Sequence, residues 1–509
     1  MSTRTETLAG LLARGAPEAP AIGAPGRTSL TFAGLRDLCA RTASVLNSVG
    51  IGRNDRVAIV LPNGPEMASA FLSIASAAAT APLNPGYKQE EFTFYLSDLG
   101  TRALVVQAGV DTPARAAAAA LGCPIIELTP HTDVAGDFTL TPPADMKAAS
   151  ADAGPTLPDD IALLLHTSGT TARPKLVPLR QANLAASAQN IGRTLALGPQ
   201  DVCLNIMPLF HIHGLTAAVL SSVGAGGSVV CSPGLNAFRF FGWFDEARPT
   251  WYTAVPTMHQ TLLELAPRYK EVIGRGRLRF IRSSSASLSP PVMAALEQTF
   301  GVPVIEAYSM TEASHQMTSN PLPPRPRYAG SVGVASGPEV ATMDGEGRLL
   351  PPGTTGEVVV RGHNVTAGYE NNPSANEKSF TNGWFRTGDE GVLDEQGYLR
   401  LTGRIKEIIN RAGEKVSPLE IEDALLQHPA VQQAVAFAMP SRLFGEDVAA
   451  AAVLREGEVV ETEALRRFVA GRLADFKVPK AIVFLPEIPK GPTGKLQRIG
   501  LAARLGLGD

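Results

Sequence analysis

The 509-residue sequence is poor in cysteine. Its four cysteines, Cys39, Cys123, Cys203 and Cys231, are scattered and form no CxxC pair. That spacing argues against a disulfide framework or a zinc site and fits a reducing, cytoplasmic setting. An excess of charge of either sign is also missing: the net charge is −3, so no basic surface for nucleic acid is expected. Long, strongly apolar runs are absent. Met67 to Tyr87 and Leu215 to Phe238 carry no charge, but both are rich in Ala, Ser and Gly and are interrupted by Pro or clustered Gly. A membrane-spanning helix needs about 20 strongly apolar residues. Each stretch is therefore read as a buried helix leading into a strand, without membrane insertion. Internal repeats and heptads are lacking, which argues against a solenoid or a coiled coil. The first ten residues carry Arg4 and Glu6 before any apolar stretch and do not resemble a signal peptide. The final Gly506-Leu507-Gly508-Asp509 is not a peroxisomal address.

What is present is an α/β texture. Leu35 to Val49 has helical apolar spacing, while Arg56 to Leu61 is a short apolar run closed by Pro62-Asn63-Gly64. Ala103 to Gln107 repeats the strand pattern. Strands alternating with helices predict parallel sheets covered on both faces. A first α/β region is expected over residues 1–155, followed by a Pro/Ala/Asp-rich surface linker from Pro142 to Asp160. The strand Ile161 to His166 then opens a second α/β region reaching Ser319. From Gly330 to Leu401, short runs such as Gly356 to Arg361 between Gly and Pro turns predict a small β-rich subdomain. After Gly403-Arg404-Ile405-Lys406 comes an α+β unit with a helix over Pro418 to Gln427 and a strand over Ala434 to Phe437.

The sharpest local signal is Thr167-Ser168-Gly169-Thr170-Thr171-Ala172-Arg173-Pro174-Lys175, immediately after a predicted strand. Small side chains let backbone N–H groups approach phosphate oxygens, and hydroxyls add donors. Arg173 and Lys175 add positive charge. The spacing is not that of a Walker loop, which requires Gly-Lys-Ser/Thr. A plain Ser/Thr turn is the alternative reading of this string by itself.

The string resembles the signature loop of the ANL superfamily, which comprises acyl-CoA synthetases, peptide-synthetase adenylation domains and luciferases. Further signatures follow in order along the chain. The resemblance implies a large N-terminal AMP-binding domain, residues 1–405, and a small mobile C-terminal domain, residues 406–509, with the site between them. It also implies ATP, Mg²⁺ and CoA as cofactor and co-substrates. Glu306-Ala307-Tyr308-Ser309-Met310-Thr311-Glu312 is similar to the family's second signature, with Ser309 where Gly is usual. There Tyr308 offers a ring for adenine, Thr311 a donor to the α-phosphate, and Glu312 a carboxylate for Mg²⁺. The upstream Ser283 to Leu288, including Ser285, matches the loop lining the adenine and acyl pocket. Asp389 of Trp384-Phe385-Arg386-Thr387-Gly388-Asp389, with Arg404, would bind the ribose hydroxyls. An isolated Thr-Gly-Asp would instead read as a hairpin turn. Lys495 in Gly491-Pro492-Thr493-Gly494-Lys495-Leu496 would reach the reacting carboxylate and α-phosphate, where charge develops. Lys406 falls at the family's hinge, and Gly413 in the segment that faces CoA after rotation.

The acid is read from three histidines. His211 and His213 lie in Pro208-Leu209-Phe210-His211-Ile212-His213-Gly214, which resembles the family's motif beside the acyl site and CoA channel. The run from Tyr308 to Leu322, with His315, is similar to that of the oxalate-activating members. A histidine suits a second carboxylate, because it donates hydrogen bonds and charges near neutral pH. Ser285 would add a donor. Malonate or a short- or medium-chain fatty acid is the alternative, with Arg282 then the anchor. Arg282 is set aside here as a solvated strand-end residue. Other classes remain: an adenylation module that loads a carrier protein, against which no carrier-like segment is attached, and a non-catalytic nucleotide-binding relative.

Overall fold

The structure, a computed structural model, describes residues 6–146, 152–167, 174–489 and 498–507. Two large sheets dominate the first 335 residues. The seven-stranded sheet runs in the order Lys175–Arg180, Ile161–Thr167, Ala79–Pro82, Arg56–Val60, Ala103–Gln107, Ile125–Pro130, Phe138–Thr141. Its inner strands are parallel and buried on both faces, which is why Val57 to Val60 read as a continuous apolar run. The ten-stranded sheet carries Val202–Asn205, Trp251–Ala254, Phe280–Ser284 and Val304–Met310 at its centre, again mutually parallel where they neighbour one another.

The expected split near residue 155 does not hold. Pro20–Ala24 and Arg27–Thr31 leave the first region and join the ten-stranded sheet, where Ile22 pairs with Val229. Ile161–Thr167 and Lys175–Arg180 leave the second region and join the seven-stranded sheet, beside Ala79–Pro82. The apolar pattern marks each strand but carries no information about its partner, because parallel pairing is non-local.

The two uncharged stretches form what the sequence predicts. Pro65–Ala75, with Pro at its first position, leads into the strand Ala79–Pro82. The π-type helix His213–Leu220 continues as Ser221–Gly224 and leads into Ser228–Cys231. Pro65–Ala75 touches strands of both large sheets, so every residue of it but Glu66 in the first turn is buried. No helix among the described residues is long and apolar enough to cross a membrane.

The predicted β-rich region is an antiparallel five-stranded sheet built around Gly356–Arg361 and Trp384–Leu393, with Leu399–Arg404 paired to the latter. Beyond Arg404 the next strand, Ile409–Arg411, belongs to a separate sheet with Glu414–Val416, Val431–Ser441, Gly445–Leu454 and Ala481–Phe484. Helix Pro418–Leu426 starts at Ser417, whose side chain accepts from the Glu420 N–H, and buries Ile421 and Leu425 against that sheet. The C-terminal unit thus has its own core, distinct from those of the large sheets.

Candidate active site

A cavity of about 260 Å³ lies between the C-terminal ends of the ten-stranded sheet, the β-rich sheet and the C-terminal unit. Such strand ends are the usual ligand-binding edge of parallel α/β sheets. Tyr308, Asp389, Arg404 and Ser285 line one wall, and Glu422 and Arg498 the other. Antiparallel pairing sets Asp389 opposite Arg404, so two distant motifs meet through backbone register. Arg404 Nε donates to Asp389 Oδ1 at 3.0 Å, and the Tyr308 hydroxyl donates to Asp389 Oδ2 at 2.5 Å. Burial, then the Asp389 charge, push the Tyr308 phenol well above its ordinary value, so it remains a donor. The pair Asp389–Arg404 thus presents a fixed acceptor and a fixed cation to the cavity.

Ala307 lines the same cavity, and Glu306 lies behind this wall. Glu306 Oε1 accepts from the Leu288 N–H at 2.9 Å, which ties the strand Val304–Met310 to the Ser283–Leu288 loop. Its other oxygen is buried without a partner among the described residues. Burial pushes the carboxyl up to about 8, with Asp423 of the C-terminal unit adding to the effect.

Ile161–Thr167 and Lys175–Arg180 pair antiparallel with Thr167 opposite Lys175. Ser168, Gly169, Thr170 and Thr171 lie outside the described residues, as does Lys495. Lys175 Nζ sits 4.4 Å from the centre of the Tyr369 ring. Burial lowers its pKa, Glu312 acts to raise it, and Lys406 acts to lower it further. The Tyr369 hydroxyl donates to Glu312 Oε1 at 2.8 Å. Glu312 is buried, with Thr311 beside it in a short 3₁₀ turn. One carboxylate beside a lysine suits Mg²⁺, a hard ion that takes few protein oxygens and the rest from phosphate and water. No group of three or more metal-ligating side chains exists among the described residues.

Three of the four residues read as the acid site converge below this. His213 Nδ1 is 2.9 Å from the Ser285 hydroxyl, and Nε2 is 2.6 Å from the Thr253 hydroxyl. The His315 ring is 5.0 Å from that of His213, centre to centre. His213 and His315 are fully buried. Ser285 (φ 73°) and His315 (φ 103°) both hold backbone torsions uncommon for residues with a Cβ. Outliers of this kind concentrate at ligand sites. His211, half-buried, turns back on its own segment, and its Nδ1 accepts from the His213 N–H at 3.3 Å.

Arg282 differs from the sequence reading. It sits inside the strand Phe280–Ser284, in register with Thr253, and is completely buried rather than solvated. Gly413 is exposed at the tip of the hairpin Ile409–Arg411/Glu414–Val416 and does not line the cavity. Lys406 follows the last strand of the β-rich sheet and acts electrostatically on Lys175. Sequence reasoning passed over Tyr369 and Thr253, which hold Glu312 and His213. Neither belongs to a string with a distinctive spacing. The only signal for Thr253 is a hydroxyl in an otherwise apolar strand, Trp251–Ala254.

Residues 12–370 match the family model described as AMP-binding enzyme, and residues 420–495 match its C-terminal domain. The chain is 45% identical over 503 residues to an oxalate–CoA ligase of Arabidopsis thaliana, covering 97% of this chain and 98% of the relative. It is 43% identical over 470 residues to an oxalate–CoA ligase of Saccharomyces cerevisiae, covering 88% of this chain and 86% of the relative. Among solved structures, ATP-bound MatB from Rhodopseudomonas palustris superposes with a TM-score of 0.86 at 30% identity, over 97% of this chain and 98% of that one. The chain thus belongs to the AMP-binding enzymes, the adenylate-forming ANL superfamily of acyl-CoA synthetases.

Proposed function

We infer that the protein joins oxalate to CoA at the expense of ATP, through an oxalyl-adenylate, releasing pyrophosphate and then AMP. The observation that carries the choice of acid is the buried pair His213 and His315, with His213 oriented at both ring nitrogens by Ser285 and Thr253. The two similar oxalate–CoA ligases support the same choice. A small dianion needs donors at its far end, since burying an unpaired carboxylate is costly. A fatty acid would need the opposite lining.

In the first half-reaction a carboxylate oxygen of the acid attacks the α-phosphorus, and pyrophosphate leaves. Tyr308, Asp389 and Arg404 hold the nucleoside, with Asp389 and Arg404 on the ribose hydroxyls. Thr167 and Lys175, with Ser168, Gly169, Thr170 and Thr171, cradle the phosphates, and Thr311 donates to the α-phosphate. Lys495 places its charge where the transition state becomes more negative. Mg²⁺, held by Glu312, would neutralise phosphate charge. In the second half-reaction the CoA thiol attacks the acyl carbon and AMP leaves. Torsions at Lys406 turn the C-terminal domain, residues 406–509, between the two steps and bring Gly413 toward the pantetheine arm. His211 lies beside the acid and the thiol path.

The test is kcat/KM for oxalate, malonate, acetate and octanoate with ATP and CoA. Oxalate is expected to lead by about 100-fold or more over acetate, the discrimination available when a buried site pairs polar groups. A flat profile, or one led by octanoate, removes oxalate.

A further inference from the structure

The polar layer beneath the histidines contains a cation that the adenylation chemistry leaves unused. Arg282 is 0% exposed. Its Nη2 donates to Gln316 Oε1 at 3.1 Å, while Nε and Nη1 are buried without a hydrogen-bond partner among the described residues. Among the described residues Arg282 makes no ion pair to a carboxylate. Burial pushes the guanidinium down to about 9, opposed by the Cys203 thiol, so it stays charged at neutral pH. A buried, unpaired charge is among the costliest features a fold can carry. Replacement by an apolar side chain would relieve that cost, so stability does not account for an arginine here.

Its neighbours connect it to the acid pocket on two sides. Thr253 stands beside it in the next strand, and the Thr253 hydroxyl meets His213 Nε2. Gln316, which takes its one hydrogen bond, directly follows His315. The Thr216 hydroxyl, three residues beyond His213 in the helix His213–Leu220, is likewise buried without a partner among the described residues. Thr253 and Gln316 thus hold Arg282 behind the two histidines.

We propose that Arg282 is the fixed countercharge for the second negative group of the acid, a positioning residue that makes the pocket select dianions over monoanions. This rests on the reading of the His213–His315 pocket as the acid site. In a site closed to water, the second charge of a dianion needs a positive charge on the protein. Ser285, held by His213, and His315 orient that group by hydrogen bonds, and Arg282 supplies the charge. When the pocket is filled, the guanidinium gains the counterion it otherwise lacks, so the acid and the arginine stabilise each other.

The experiment compares Arg282→Met, Arg282→Lys and wild type. It reads kcat/KM for oxalate, malonate and acetate, KM for ATP, and the melting temperature with and without oxalate. Arg282→Met is expected to lose about 100-fold on oxalate, in line with the loss of one buried charged partner. It should lose less than about threefold on acetate, an effect within the non-additive background of single sites, and leave KM for ATP unchanged. Its melting temperature without ligand should equal or exceed that of wild type, and oxalate should no longer raise it. Arg282→Lys, which keeps the charge, should recover most of the dianion preference. Parallel losses on oxalate and acetate, or a lower melting temperature in Arg282→Met with the oxalate preference intact, would overturn the proposal and mark Arg282 as structural. If wild type prefers malonate to oxalate, the choice of oxalate fails while Arg282 is judged on malonate. If wild type prefers oxalate and Arg282→Met keeps that preference, oxalate stands and the role of Arg282 falls.

Discussion

Glu306 shows how one residue of the second signature reports on pH. Its native carboxyl holds a proton up to about 8, whereas an unfolded glutamate releases it near 4.5. Between those values the native state binds the extra proton, so stability falls as pH rises, by about 1.4 kcal/mol per pH unit at most. Glu306→Gln keeps an acceptor for the Leu288 N–H and has no proton to lose. Its stability relative to wild type should therefore improve by a few kcal/mol between pH 5 and pH 8. Urea unfolding at the two pH values measures it, and an unchanged difference would refute the buried, protonated carboxyl. At this scale the sequence was informative where residue types fall in a distinctive string: Tyr308, Asp389 and Arg404 all line one cavity. It was silent on Tyr369 and misleading on Arg282. Whether an arginine is solvated depends on what covers its strand, and Phe280–Ser284 is buried along its whole length.

The helix His213–Leu220 carries its first residue to Ser285 and Thr253 because its backbone lies almost in contact with the segment before it. A Cβ on Gly214 would come within 2.4 Å of the Pro208 carbonyl oxygen and 3.2 Å of Leu209 Cδ2. Gly214→Ala must push the helix away and drag His213 from Ser285 and Thr253. Overpacking of this kind costs about 1–3 kcal/mol. The expected result is that destabilisation, together with a higher KM for the acid and an unchanged KM for ATP, read by denaturant unfolding and steady-state kinetics. Loss of ATP affinity without loss of acid affinity would place the helix elsewhere in the mechanism. Elements as such were legible: the strands Ala103–Gln107 and Gly356–Arg361 have the predicted bounds, and helix Pro418–Leu426 ends one residue early. Apolar period and Pro/Gly punctuation are local properties. The π-type winding of His213–Leu220 left no such mark, because it depends on packing against neighbouring elements.

At the scale of the molecule, the C-terminal unit has its own core and meets the rest around a cavity shared with Tyr308 and Asp389. Arg498 bonds both Glu407, just after Lys406, and Glu422 of the helix Pro418–Leu426. The segment after Arg404 is thereby tied to the small unit. In the proposed rotation, freedom to turn is left to the residues around Lys406. Lys406→Pro, which fixes one backbone torsion, is expected to retain ATP–pyrophosphate exchange and slow thioester formation at least tenfold, an effect of about 1.4 kcal/mol or more on that step. Lys495→Ala should do the reverse, losing exchange while still converting preformed acyl-adenylate. Single-turnover assays of each half-reaction decide both, and equal loss of the two steps in either variant would remove the corresponding role. The two-part plan was legible from the change of texture after residue 403, since each part needs its own apolar periodicity. The trading of strands between the large sheets was not. That exchange has a consequence during synthesis. Ile22 must wait for Val229 before its strand is paired. At about 5–20 residues per second the ribosome needs roughly 10–40 s to supply it. For that interval the newly made N-terminal strands are open edges, and they call for a chaperone or a temporary partner until the wall of the site exists to receive them.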